Sequence, residues 1–259
     1  MIASSTFGSS SDPAVLLIGG AGASMDWWAP EFCSQLAAGD RYVIRYDHRD
    51  TGESESWPPG APGYSGMDLV TDAAGVLDTL GVPAAHVVGM SMGGAIAQQL
   101  VLTQPTRVLS LTLLSTSGGP GDADLPGMSP SLEFAGEPDW TDDDAVVEYL
   151  VESQRVLSAE PFDAAEFREL ARAAVSRTKN HESSQKNHHA TEGAGGPWRA
   201  RLPSITVPTL VLHGDSDPLF PLPHGEALAR EIPGARLVVL PHTGHEFTRR
   251  NWPLVIVGP

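Results

Sequence analysis

Three short stretches carry the residues of a nucleophilic acyl transfer. Ser91 stands in Gly89-Met90-Ser91-Met92-Gly93, and Asp215 and Asp217 stand in His213-Gly214-Asp215-Ser216-Asp217-Pro218. His242 and His245 stand in Pro241-His242-Thr243-Gly244-His245-Glu246. A serine hydroxyl is a poor nucleophile at neutral pH. It needs a base to take its proton and a third group to orient that base. Asp217 is the expected orienting group, because it precedes Pro218 in a tight turn and should reach past a strand end. Asp215 then reads as a turn-capping carboxylate. His245 is the expected base, since Gly244 permits a sharp approach. His242 directly follows an apolar run and Pro241, and reads as a loop or packing histidine. Two backbone N–H groups are expected to receive the developing oxyanion, those of Met92 and Gly20. A dinucleotide-binding reading of Gly19-Gly20-Ala21-Gly22 is weak, because the stretch does not continue as G-x-G-x-x-G.

These residues act together only if the chain brings them to one edge. Ala85-His86-Val87-Val88 is an apolar run of strand type, and Gly94 to Leu102 reads as a helix with an apolar face. Ser91 therefore lies at a strand-to-helix turn, the context a nucleophile elbow requires. Ala14 to Ile18 is a continuous apolar run read as a buried parallel strand, and Gly20 lies in the loop after it. Further strands are expected at Arg41–Tyr46, Val108–Leu114, Thr209–His213 and Arg236–Leu240. Helices are expected from Pro30, across Leu69–Leu80 and near 224–231. Residues 1–12 are Ser-rich and read as loose, with Thr6-Phe7-Gly8 as the end of a short edge strand. Strands alternating with helices imply a mostly parallel sheet flanked by helices, an α/β fold. Asp217 and His245 both follow strands, so both belong to the carboxyl edge that carries Ser91. Residues 120–200 hold no convincing strand but have helical stretches near 141–157 and 163–179. They read as a helical cap inserted into a core formed by 1–119 and 201–259.

The chain has 259 residues, enough for one α/β domain with an insertion. Its net charge of −16 excludes a basic stripe able to neutralise phosphates, so nucleic acid is not an expected partner. No stretch approaches the roughly 20 apolar residues of a membrane span. The first Lys or Arg is Arg41, so no basic leader is read and a cytoplasmic location is expected. Cys33 is the single cysteine and reads as packing. His181, His188 and His189 lie in the insertion. Adjacent helical residues diverge by about 100°, so His188 and His189 read as surface or pocket-lining groups, and no metal or cofactor is expected.

The three motifs, in the chain order Ser, Asp, His, resemble the α/β-hydrolase superfamily. The resemblance covers nearly all of the chain outside the cap. It implies Ser91, Asp217 and His245 as a triad with Gly20 and Met92 as oxyanion donors, in agreement with the reading of the residues. More narrowly, Arg45-Tyr46-Asp47-His48-Arg49-Asp50-Thr51-Gly52, His86-Val87-Val88-Gly89 and Pro223-His224-Gly225 resemble the aclacinomycin methylesterase group and the serine-dependent macrolide esterases. There are departures. Ile18-Gly19 stands where many such enzymes have His-Gly, and Trp252 to Val257 is at most the remnant of a final helix.

The resemblance implies a serine hydrolase that cleaves a small-molecule ester through an acyl-enzyme, with a macrolide lactone as the first expectation. A methylesterase acting on an anthracycline-like polyketide is the alternative. A carbon–carbon bond hydrolase and a non-catalytic ligand receptor are more distant ones. Trp27 and Trp28 are expected to line the substrate pocket. Between residues 120 and 180, fourteen Asp and Glu stand against five Lys and Arg. Such a negative rim would attract a cationic amino sugar.

Overall fold

The computed structural model describes residues 1–119, 123–191 and 196–256. Among the described residues, seven strands form one sheet: β1 (Ser4–Phe7), β2 (Ala14–Ile18), β3 (Tyr42–Tyr46), β4 (Ala85–Met90), β5 (Val108–Leu114), β6 (Thr209–Gly214) and β7 (Arg236–Leu240). Their spatial order is β1-β3-β2-β4-β5-β6-β7. Of these strands only β1 runs antiparallel to its neighbour, pairing Ser4 with Tyr46 and Phe7 with Val43. The short edge strand expected to end at Thr6-Phe7-Gly8 is present over Ser4–Phe7, inside a stretch otherwise read as loose.

Every residue of β2 and β3 is buried, as the unbroken apolar run in β2 requires of a strand covered on both faces. Alternate side chains serve the two faces. Leu16, Ile18, Ile44 and Val87 join one core with α2 (Gly66–Thr79), α3 (Met92–Thr103) and α7 (Pro223–Glu231). Val15, Leu17, Val43 and Val88 join the other, with α1 (Pro30–Ala37) and α8 (Trp252–Ile256). Each such aliphatic side chain contributes roughly 1.5–3 kcal/mol when fully buried. The segment read as a remnant is a docked helix: buried Trp252 packs its ring 5.6 Å from that of Phe32 on α1. Val257 lies outside the described residues.

Between β5 and β6 the chain forms α4 (Asp143–Leu157), α5 (Ala164–Arg177) and α6 (His181–Ala190). Asp142 and Asp163 cap the first two through their carboxylates. Val146, Val147, Leu150 and Val151 of α4 meet Phe167, Ala171 and Val175 of α5 in a third apolar cluster. The residues at 120, where the insertion was expected to begin, lie outside the described residues. Helix α6 was not expected, because its sequence His181-Glu182-Ser183-Ser184-Gln185-Lys186-Asn187-His188-His189-Ala190 has no apolar face. Tertiary hydrogen bonds hold it instead. Asn187 Nδ2 donates to Asp50 Oδ2 at 2.9 Å, and Gly60 N donates to Asn187 Oδ1 at 2.7 Å. Arg177 ties the end of α5 to the sheet, reaching Asp26 at 2.5 Å and the fully buried Asp47 at 2.8 Å. Among the described residues, no helix is long and apolar enough to cross a membrane.

Candidate active site

Because β2, β4, β5, β6 and β7 are parallel, the segments that follow them emerge at one edge of the sheet. Ser91 leaves β4 with φ 53° and ψ −120°, a positive φ that a residue with a Cβ adopts only at a cost. Ser91 N donates to Leu114 O at 3.0 Å, and Thr116 Oγ1 donates to Ser91 O at 2.8 Å, so both neighbouring peptide groups are pinned. The turn is tight enough that a Cβ at Gly89 would collide with the carbonyl of Gly93, and one at Gly93 with that of Ile18. Those two glycines are the sequence's provision for the elbow.

Asp217 is buried beyond β6. Its Oδ1 accepts from the backbone N–H of Leu219 and of Phe220, both at 2.9 Å. Its Oδ2 accepts from His245 Nδ1 at 2.9 Å. Burial pushes the Asp217 carboxyl up. The hydrogen bond and charge of His245, with the Phe220 N–H and His213, outweigh that and hold it below the ordinary carboxylate value. Asp217 is therefore an anion at neutral pH, and it fixes the proton of a neutral His245 on Nδ1. The lone pair is then on Nε2. His245 is 6% exposed and its ring lies 5.6 Å from that of Phe220. Among the described residues, no hydrogen bond joins Ser91 Oγ to His245; such bonds often tighten only with substrate bound.

The alternatives occupy other places. Asp215 accepts from the backbone N–H of His242 at 3.1 Å and of Thr243 at 3.4 Å, and ties the end of β6 to the turn after β7. His242 is exposed, with φ 50°, and its carbonyl accepts from Arg250. Half-buried Gly20 sits beside the serine: a Cβ built on it would lie 3.4 Å from Ser91 Cβ and 3.9 Å from Ser91 Oγ. Met92 opens α3 immediately after Ser91, where a helix leaves its first N–H groups without intrahelical partners. Both expected donors thus flank the serine.

Trp28 requires a correction. It is 3% exposed and stacked on Phe32 at 5.8 Å, with Phe247 edge-on at 5.7 Å. Its ring fills the core instead of lining a pocket. Half-buried Trp27 lies between sheet and insertion, 6.4 Å from Phe167 of α5. The insertion histidines differ from expectation as well. His188 is neither on the surface nor free to line a pocket: it is buried, with both ring nitrogens bonded to backbone groups. His181 lies 3.2 Å from Asp143, and His189 is exposed.

Sequence reasoning missed the tether on the histidine loop. His245 N donates to Leu157 O at 2.7 Å, and Ala159 N donates to Glu246 Oε2 at 3.3 Å, so the end of α4 clasps that loop. A Cβ at Gly244 would strike the Leu157 carbonyl, which gives this glycine its physical reason. No local signal joins residues so far apart in the chain. A cavity of about 500 Å³ opens on this clasp, walled by Ala159, Phe162, Glu166, Glu246 and Arg249 among others, but not by Ser91, Gly20 or Met92.

The family model for the alpha/beta hydrolase fold matches residues 13–248. The chain is 38% identical to the rhodomycin D methylesterase DauP of Streptomyces sp. (strain C5), an alignment covering 97% of this chain and 89% of that protein. Among solved structures, a hydrolase from Pseudomonas aeruginosa PA01 superposes with a TM-score of 0.72 at 28% identity, covering 100% of this chain and 94% of the other. The enol-lactonase from Burkholderia xenovorans LB400 gives a TM-score of 0.72 at 25% identity, covering 94% and 89%.

Proposed function

The chain belongs to the α/β-hydrolase fold family, and from that premise we propose that Ser91, His245 and Asp217 hydrolyse the methyl ester of an anthracycline-like polyketide. The protein is a carboxylic ester hydrolase. The observation that carries the mechanism is the 2.9 Å bond between Asp217 and His245 at the sheet edge that presents Ser91. In the proposed cycle His245 Nε2 takes the proton as Ser91 Oγ attacks the ester carbonyl. The imidazolium faces the ionised Asp217, and the N–H groups of Gly20 and Met92 bind the oxyanion. Collapse breaks the C–O bond to the methoxy group, which leaves as methanol with the proton from His245. Water, activated by the same imidazole, then hydrolyses the acyl-enzyme and returns Ser91.

The choice of ester is supported by 38% identity to a rhodomycin D methylesterase along nearly the whole chain. Residues 120–200 act in this reading as the lid that selects the substrate, over a core of 1–119 and 201–259. Lactone opening, the first expectation from the sequence, is the second reading, favoured by the likeness to an enol-lactonase and by the acidic insertion. Much of that acid is locally paired, as Glu148 is with Arg168 and Glu182 with Lys186, which weakens the second reading. Mass spectrometry after incubation with anthracycline methyl esters and with macrolides separates the two. Methyl-ester cleavage removes a CH₂ unit, whereas lactone opening adds one water. Turnover of macrolides alone would overturn the first reading in favour of the second.

A further inference from the structure

The loop that carries Gly20 has an imidazole at each end, and the triad chemistry uses neither. At the front, His48 is 1% exposed and its Nε2 lies 3.0 Å from Gly19 O, so Nε2–H donates to that carbonyl. At the back, Gly22 N–H donates to His188 Nδ1 at 2.8 Å. His188 Nε2–H in turn donates to Arg49 O at 2.8 Å. Those two bonds specify one form of His188: neutral, with its proton on Nε2 and its lone pair on Nδ1. Burial, with His48 beside it, pushes His188 down to about 3, so the neutral form holds at working pH. The two rings stand edge to face at 5.6 Å.

His188 comes from α6, the helix without an apolar face. The bonds of Asn187 to Asp50 and Gly60 fix that helix to the core, independently of the glycine loop. Gln185, one turn earlier, donates Nε2–H to Gly22 O at 3.3 Å. Both polar groups of the Gly22 residue are thus held by α6. Inside the loop, Ala23 N closes a turn on Gly20 O at 3.3 Å. A small-residue loop has little side-chain packing to hold its shape, so these bonds determine where Gly20 stands relative to Ser91.

We propose that His188 is a positioning residue for the oxyanion site: by accepting the Gly22 N–H it holds Gly20 against Ser91, so that the inserted helix α6 completes the catalytic loop. The inference rests on the reading of Gly20 as an oxyanion donor. An oxyanion donor acts on the transition state more than on bound substrate, so misplacing it lowers kcat and leaves KM nearly unchanged.

The experiment compares His188→Asn, His188→Gln and His188→Leu with wild type on a p-nitrophenyl ester, with active sites counted by a fluorophosphonate. Asn places an acceptor oxygen near the Nδ1 position, whereas Gln places its polar atoms near Nε2 and Leu supplies neither. We expect kcat per titrated site to fall about 10- to 100-fold in the Gln and Leu variants, less than the loss from deleting a donor outright. KM should stay within about twofold, and Asn should recover most of kcat. Exposed His189→Leu should match wild type. If Leu fails to fold, the Asn and Gln pair carries the comparison. Wild-type kcat in Gln or Leu, or an Asn variant as slow as Gln, overturns the inference. A wild type that neither turns over nor labels at Ser91 would instead overturn the serine mechanism beneath it.

Discussion

Replacing Asp217 by Asn tests the proposed triad through the orientation of one amide. Asp217 Oδ1 accepts two backbone N–H groups, from Leu219 and Phe220, each at 2.9 Å. An asparagine there keeps its oxygen on those donors, because turning its NH₂ toward them leaves two half-buried N–H groups unsatisfied. At about 1–3 kcal/mol each, the flipped amide lies roughly 2–6 kcal/mol higher. With the oxygen so placed, the amide NH₂ faces His245 Nδ1, which must then accept. The imidazole proton moves to Nε2, where the lone pair should receive the serine proton. Only the flipped amide leaves a competent base. Its population falls by a factor of about 30 to 10⁴. Losing the carboxylate opposite the imidazolium lowers the rate further. We expect kcat on a p-nitrophenyl ester to fall by about 10³–10⁴, with KM within a few-fold and the melting temperature little changed. Asp215→Asn, which only loosens the turn holding His242 and Thr243, should lose much less activity. A folded Asp217→Asn protein within tenfold of wild-type kcat would refute the reasoning, and a larger loss in Asp215→Asn would move the orienting role to that residue.

Ser91→Ala should keep the melting temperature and lose several powers of ten in turnover; a phosphonate should label wild type on the peptide containing Ser91, and retained activity would end the serine mechanism. Trp28→Ala empties a fully packed site and should cost about 3–5 kcal/mol in denaturant unfolding, whereas Trp27→Ala should alter KM for a large polyketide ester and cost less stability. The reverse pattern would restore Trp28 to the pocket. His48, His188 and His213 are each pushed below their ordinary value of 6.5, first by burial. The unfolded chain therefore binds protons that the folded chain refuses, so stability present above pH 6.5 should decline as pH falls through it. Urea unfolding between pH 7.5 and 5.5 checks the sign, and a midpoint that rises on acidification contradicts it.

The class of chemistry and the frame that supports it were legible in the chain itself. Gly89 and Gly93 around Ser91, the apolar runs of β2 and β4, and the Ser, Asp, His order are local signals with short-range causes. A strand buried on both faces must be apolar throughout, and a sharp strand-to-helix turn must shed its Cβ atoms. Reading Asp217 and His245 over their neighbours also used local turn chemistry, and the structure places those two within a hydrogen bond of each other. What the sequence could not carry were properties of approach between distant segments. Helix α6 has no periodic apolar face, so nothing in its own residues announces it; Asp50 and Gly60, far earlier in the chain, hold it in place. Adjacent histidines looked alike in sequence, yet His188 is buried against the Gly22 N–H and His189 faces water. Trp27 and Trp28 divide in the same way, one at the junction with α5 and one inside the aromatic core. A side chain's type fixes which bonds it can make, but its partner is set by where the sheet and the insertion bring the rest of the chain. For His188 and Trp28 that partner is backbone or core, and only the tertiary structure decided it.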